Sequence, residues 1–201
     1  MGKMTTQYTR KQILTFVMQK KNLEGVDLSG GNIAGCQFTG ANFSGANLSE
    51  ANLSQSDLQG ANLSGADLSK ANLGSANLKG ANLEEANLSE ANLLKANLTQ
   101  ANLKDATLQE ANLAQADLSE ADLTETNLQK TVLYETNFKG ANLKKANFRE
   151  VNISEGNFDG ANLAEANKEG ALQKTEKMSL SDALREWAEE RLKKQPQKGN
   201  H

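Results

Sequence analysis

Apolar side chains recur along most of this chain at one fixed interval, every fifth residue from Leu23 to Leu163. Taken as units centred on those positions, residues 21–165 divide into 29 consecutive pentapeptides without an insertion or a deletion. The centres are 22 Leu, 5 Phe and 2 Ile. Two residues before the centre stands Ala in 19 units, with small substitutes such as Gly31, Cys36, Ser56, Thr126, Thr131, Thr136 and Gly156 in others. One residue before it, 26 of 29 are Asn or Asp, the exceptions being Gln37, Thr107 and Val132. The two positions after the centre are mostly Ser, Gly, Gln, Lys or Glu.

A period of five suits neither common element. On an α-helix successive centres would fall roughly 140° apart and form no stripe. On a flat strand they would alternate between faces, because side chains there repeat every two residues. The pattern is met by a short extended piece, in which the small residue and the centre point the same way, followed by a bend. Repeating that move winds the chain into a coil with every centre inside. Asn and Asp suit the position before the centre because they bond to neighbouring backbone and tolerate unusual backbone angles.

Runs such as Ala81-Asn82-Leu83-Glu84-Glu85 and Ala86-Asn87-Leu88-Ser89-Glu90 resemble the pentapeptide-repeat family. The resemblance implies an all-β repeat solenoid: a right-handed, four-sided β-helix with one pentapeptide per side, about seven coils at a spacing of roughly 4.8 Å. Members include DNA-mimicking proteins that bind and protect DNA gyrase, and many bacterial proteins without an assigned role. Family members acting on gyrase often carry loops that break the coil, and these 29 units carry none.

The flanks read as caps for the ends of the array, which are otherwise open. Residues 1–20 hold a predicted capping helix, Thr9 to Lys20, with Ile13, Leu14, Phe16 and Val17 on one side. The repeat fails at Lys168, where an apolar centre is due, so the β-helix is expected to end at 165 and a linker to cover 166–178. An amphipathic helix is predicted over 179–194, carrying Leu184 and Trp187 on its apolar side, before a tail over 195–201. Two roles are open to it: a lid on the final coil, or a homodimer or partner contact built on Trp187. Phe38 and Phe43 near one end, and Phe138, Phe148 and Phe158 near the other, suggest packing specific to the ends.

Composition narrows the chemistry. With one His, at the terminal position 201, and one Cys, the chain lacks the parts for a Cys/His metal site, a disulfide framework or a Ser-His or Cys-His nucleophile pair. Cys36 falls at a small inward position and reads as a buried, inert thiol. No catalytic, cofactor or metal residues are expected, and the protein is read as non-enzymatic. The formal net charge of -3 gives no basic footprint for nucleic acid. No stretch approaches the roughly 18 apolar residues of a membrane span, so a cytoplasmic location is expected. The opening Met-Gly-Lys-Met-Thr-Thr fits the loose N-myristoylation pattern, which often arises by chance.

Charge and polarity also vary around the rod. Residues 21–165 carry 19 acidic against 10 basic side chains, but no side forms a strong acidic stripe. Corner residues 20 apart mix signs: Glu50, Lys70, Glu90, Glu110, Lys130 and Glu150 fall in one column. One side is nearly uncharged, and there Leu94, Ala114 and Tyr134, beside Val132, are expected to stack as an exposed apolar column. The sequence therefore points first to an interaction scaffold whose flat faces meet an unidentified protein partner through Leu94, Ala114, Val132 and Tyr134. The alternative is a DNA-mimicking inhibitor or protector of a DNA-binding enzyme such as gyrase.

Overall fold

In a computed structural model the described residues are 22–171, together with Lys11, Thr15, Leu184, Arg185 and 187–189. Through 22–171 the backbone repeats one motif: an extended piece carrying the small residue, the Asn or Asp and the centre, then a two-residue turn. Every parallel bridge joins residues 20 apart, from Asp27 with Asn47 to Asn147 with Asn167. Four pentapeptides therefore complete a coil, one to a side.

Each of the five N–H groups in a typical unit has its own acceptor, as buried or half-buried backbone requires. In the unit Ala81 to Glu85, Ala81 N closes a turn on Leu78 O at 2.9 Å, and Asn82 N reaches back to Ala61 O at 2.9 Å. Leu83 N and Glu85 N donate forward to Asn102 O and Lys104 O. The fifth donor, Glu84 N, is taken by the Asn82 side chain at 3.2 Å. That local bond is why the position demands Asn or Asp. The side-chain amide then donates to the residue one coil back, as in Asn82 to Asn62 and Asn102 to Asn82, so amide ladders run up the sides.

The second turn residue lies in the left-handed region, with φ from 53° to 60° at 18 non-glycine positions. Positive φ there, with the bond spanning the turn, is the signature of a type II turn. Inside the rod, centres from Ile33 to Leu128 are fully buried and Ala fills the space between them. Thr126 and Thr136, in Ala positions, bury their hydroxyls by donating to Leu103 O and Leu113 O at 2.8 Å. Cys36 is buried, as expected.

The two ends differ. Leu23 and Leu28 are 4% exposed, whereas Ile153, Phe158 and Leu163 are only partly buried. Phe38 and Phe43 meet edge to face at 5.2 Å near the first end. Near the other, Phe158 stacks on Phe138 at 4.9 Å and meets Phe148 edge-on.

Three features depart from the sequence reading. The coil does not stop at 165: Asn167 bridges Asn147, its side chain accepts Glu169 N, and Ala171 N closes a turn on Lys168 O. These bonds belong to the main chain and the Asn, so an exposed Lys168 at a centre position does not prevent them. A 3-10 turn, Ile153–Glu155, replaces the bend of one unit, and the Val132 to Asn152 bridge is missing. There Glu135 N bonds Glu155 O, one residue beyond the usual acceptor. The helical residues Leu184, Arg185 and 187–189, finally, meet the side of the rod through Trp187, whose indole N–H donates to Glu110 O. Of the predicted N-terminal helix, Lys11 and Thr15 are helical, and its seat on the first coil lies outside the described residues.

Candidate partner-binding surface

The nearly uncharged side is the one whose centres are Ile33, Leu53, Leu73, Leu93, Leu113 and Leu133. Bridges from Asn92 to Asn112 and from Asn112 to Val132 set its register. The ladder bonds Lys95 N to Ala114 O at 3.0 Å and Gln115 N to Tyr134 O at 2.7 Å. Leu94, Ala114 and Tyr134 thus occupy successive coils of one column, as the 20-residue arithmetic requires, with Val132 in the bridge position beside Tyr134.

Their exposure is not as the sequence suggests. Ala114 is fully buried, and Leu94, Val132 and Tyr134 are half-buried. Asn112 is 1% exposed although its counterparts in other units are half-buried or exposed. At the corner preceding Asn112 the Trp187 indole N–H donates to Glu110 O at 2.9 Å. Corner carbonyls such as Glu110 O stand outside the coil-to-coil ladder, so an indole from elsewhere in the chain can take one without breaking a β-helix bond. Around that contact Glu90, Glu110 and Gln115 are half-buried where most corner residues are exposed.

The helix presents the side expected of it. Leu184 and Trp187, three apart and hence neighbours on a helix surface, are half-buried, while Arg185, Ala188 and Glu189 are exposed. The sequence reading identified those two residues as the contact side and offered the final coil, a second copy or a partner as what they meet. Trp187 instead docks on its own rod, and what it grips is a main-chain oxygen, which no side-chain pattern announces. Gln115 was also missed; its Oε1 is buried without a hydrogen-bond partner, while its amide nitrogen donates to Glu135 at 2.7 Å. The distorted unit at Ile153–Glu155 bounds the face one coil beyond Tyr134, and Asn152 caps that turn through Ser154 N.

Elsewhere several acidic side chains pair with a Lys or Arg one coil away. Lys70 lies 4.0 Å from Glu90, Lys130 3.4 Å from Glu150, and Lys145 2.9 Å from Glu125. Lys104 with Glu84 and Arg149 with Glu169 repeat the 20-residue step on other edges. The hydrogen bond from Lys145 and its charge lower the Glu125 pKa, and the same bond and charge raise that of Lys145. Lys104 is raised by its bond and attraction to Asp105, then by Glu84. Such exposed pairs fix local register more than they add stability. Among the described residues no group of His, Cys, Asp and Glu could hold a metal ion, and no helix is long and apolar enough to cross a membrane.

Comparison with curated proteins gives no match. Among solved structures, trypsin-treated QnrB1, a plasmid-mediated fluoroquinolone resistance protein, is similar with a TM-score of 0.54 at 19% identity, covering 86% of this chain and 91% of that one. Full-length QnrB1 gives 0.52 at 20% identity over 84% and 95%. A pentapeptide repeat protein from Nostoc is 39% identical over 50% of this chain and 69% of its own, with a TM-score of 0.30. The QnrB1 likeness is one of fold, the right-handed β-helix. The model for pentapeptide repeats matches in 8 copies, over residues 17–45, 36–74, 46–84, 66–105, 101–140 and 132–167. With that match spanning the coils described above, the chain belongs to the pentapeptide-repeat family.

Proposed function

We propose that this chain is a non-enzymatic interaction scaffold whose uncharged side, built on Leu94, Ala114, Val132 and Tyr134, receives a protein partner. The observation that carries the reading is the docking of Trp187 on Glu110 O, at the corner that borders that side, with Ala114 and Asn112 fully buried beside it. Apolar columns flanked by polar residues are the usual form of such surfaces. A second reading, imitation of DNA toward a topoisomerase, draws on the acidic excess of the repeats and on the fold shared with QnrB1, a fluoroquinolone resistance protein. The column pairing of Lys70, Lys130 and Lys145 with Glu side chains counts against it, because a phosphate mimic needs unneutralised charge.

One experiment separates the two: affinity capture from the native lysate with wild type and with the triple variant Leu94→Ser, Val132→Ser, Tyr134→Ser. A partner held by wild type and lost from the variant, with thermal stability of the rod unchanged, is the expected result. A topoisomerase held equally by both, and released by added salt, would transfer the function to the acidic sides.

A further inference from the structure

The helix that carries Trp187 meets the rod at Glu110, the corner that borders the side assigned to a partner. We infer that the C-terminal helix is a strap that closes the uncharged side in cis, so that another helix reaches this face only by displacing it. The inference rests on the reading of that side as the partner surface and adds its regulation.

Three observations support it. First, the attachment has a replaceable form. Trp187 donates to a main-chain oxygen of Glu110, Leu184 and Trp187 are half-buried, and Arg185 and Glu189, 3.8 Å apart, are exposed. An incoming helix with a donor and an apolar residue three positions apart can make the same hydrogen bond to Glu110 O.

Second, the closed arrangement is incomplete. Gln115 Oε1 is buried with no donor, and a buried acceptor without a partner destabilises the state that contains it.

Third, the tether favours closure within one molecule. Glu110 shares a corner column with Gly170, three coils away, or about 14 Å at the spacing between coils. The 17 residues from Gly170 to Trp187 could span up to about 55 Å if extended. The helix is therefore held close to the face at an effective concentration on the order of millimolar. A competitor must overcome that concentration, and its apparent affinity falls by the fraction of open molecules.

The test uses the full chain, in which Trp187 is the only tryptophan. The emission of wild type is expected at short wavelength and shielded from acrylamide, and unaffected by about a hundredfold dilution. In the variant Leu94→Asp, Tyr134→Asp it moves to that of indole in water, while circular dichroism confirms the intact rod. As a competitor we name a fluorescein-labelled peptide of residues 179–194. It is expected to bind full-length Trp187→Ala at least about tenfold more tightly than wild type, and to lose that binding when Leu94→Asp and Tyr134→Asp are added. Equal affinity for wild type and Trp187→Ala, or water-like emission from wild type, would overturn the strap. Emission that shifts on dilution would assign the helix to a second copy and overturn closure in cis. Because no lysate partner enters this assay, its failure is distinguishable from failure of the partner reading, which the capture experiment decides alone.

Discussion

At the scale of the residue, the unit is governed by a backbone accounting that the sequence states almost openly. Asn or Asp stands before the centre because one N–H per unit has no main-chain acceptor, and Asn72 accepting Gly74 N at 3.1 Å shows the remedy. The corner residue was less legible: Gly40, Gly60 and Gly80 are what such a bend favours, but Glu, Gln, Lys, Ser and Asp occupy the same left-handed conformation at 18 other positions. Local preference is overridden there because the bonds of neighbouring coils fix the turn from both sides. The conformational cost can be isolated at Gly45, whose φ is 62° and whose added Cβ would meet nothing within 4 Å. Gly45→Ala is expected to lose about 1 kcal/mol in chemical denaturation, from backbone strain alone. The converse change, Glu50→Gly, relieves strain but loosens the unfolded chain, and should alter stability by less than about 0.5 kcal/mol. A loss at Gly45 well above 1 kcal/mol would point to a packing clash that the open corner does not contain.

At the scale of the side and the corner column, charge is arranged by the 20-residue step. The sequence showed the alternation of Lys and Glu along one edge, and the Lys70 to Glu90 and Lys130 to Glu150 pairs form there. The best aligned pair, Lys145 with Glu125 at 2.9 Å, makes a pH prediction with a definite sign. The carboxyl of Glu125 lies below its ordinary 4.5, so its contribution to folding is present above pH 4.5 and lost as pH falls through the lowered value. The ammonium of Lys145 lies above its ordinary 10.5, so its contribution is present below pH 10.5 and lost as pH rises through the raised value. Lys145→Gln is expected to return the Glu125 carboxyl to the ordinary range in a carbon-detected NMR titration, and high salt should do so in part. A wild-type value already at 4.5 would mean the pair is open in solution. The apolar column was legible by the same arithmetic, and its exposure was not. The indole that reaches Glu110 O arrives from 77 residues away, and neither segment's own pattern encodes that meeting.

At the scale of the whole molecule, the rod is a one-dimensional array in which each coil touches only its neighbours. The sequence displayed the array in full, but the landing place of the C-terminal helix depends on how a tether folds back and was legible only as an apolar pair, Leu184 and Trp187. Register decides what that pair finds, and register can be changed without altering composition much. Deleting one pentapeptide turns everything on one side of the cut by a quarter of a coil relative to the other, while leaving each interior position filled by an apolar centre. Removing 101–105 would place Leu94 beside Ser119 and Ala114 beside Ser89, splitting the apolar column between two faces. Removing 61–65 makes the same change in length and core, yet leaves every residue from Glu90 to Tyr134 in register. Both deletions take out one Leu and one Ala, so both should lower the melting temperature by a similar few degrees, about 2–4 °C. Only the first should send the Trp187 emission to its water value, because only the first breaks the column on which the helix lies. If both deletions free the indole, the helix depends on the length of the rod or the path of its tether, and the apolar column is not its seat. If neither does, the Glu110 corner alone suffices to hold it, and Leu94 has no part in the docking.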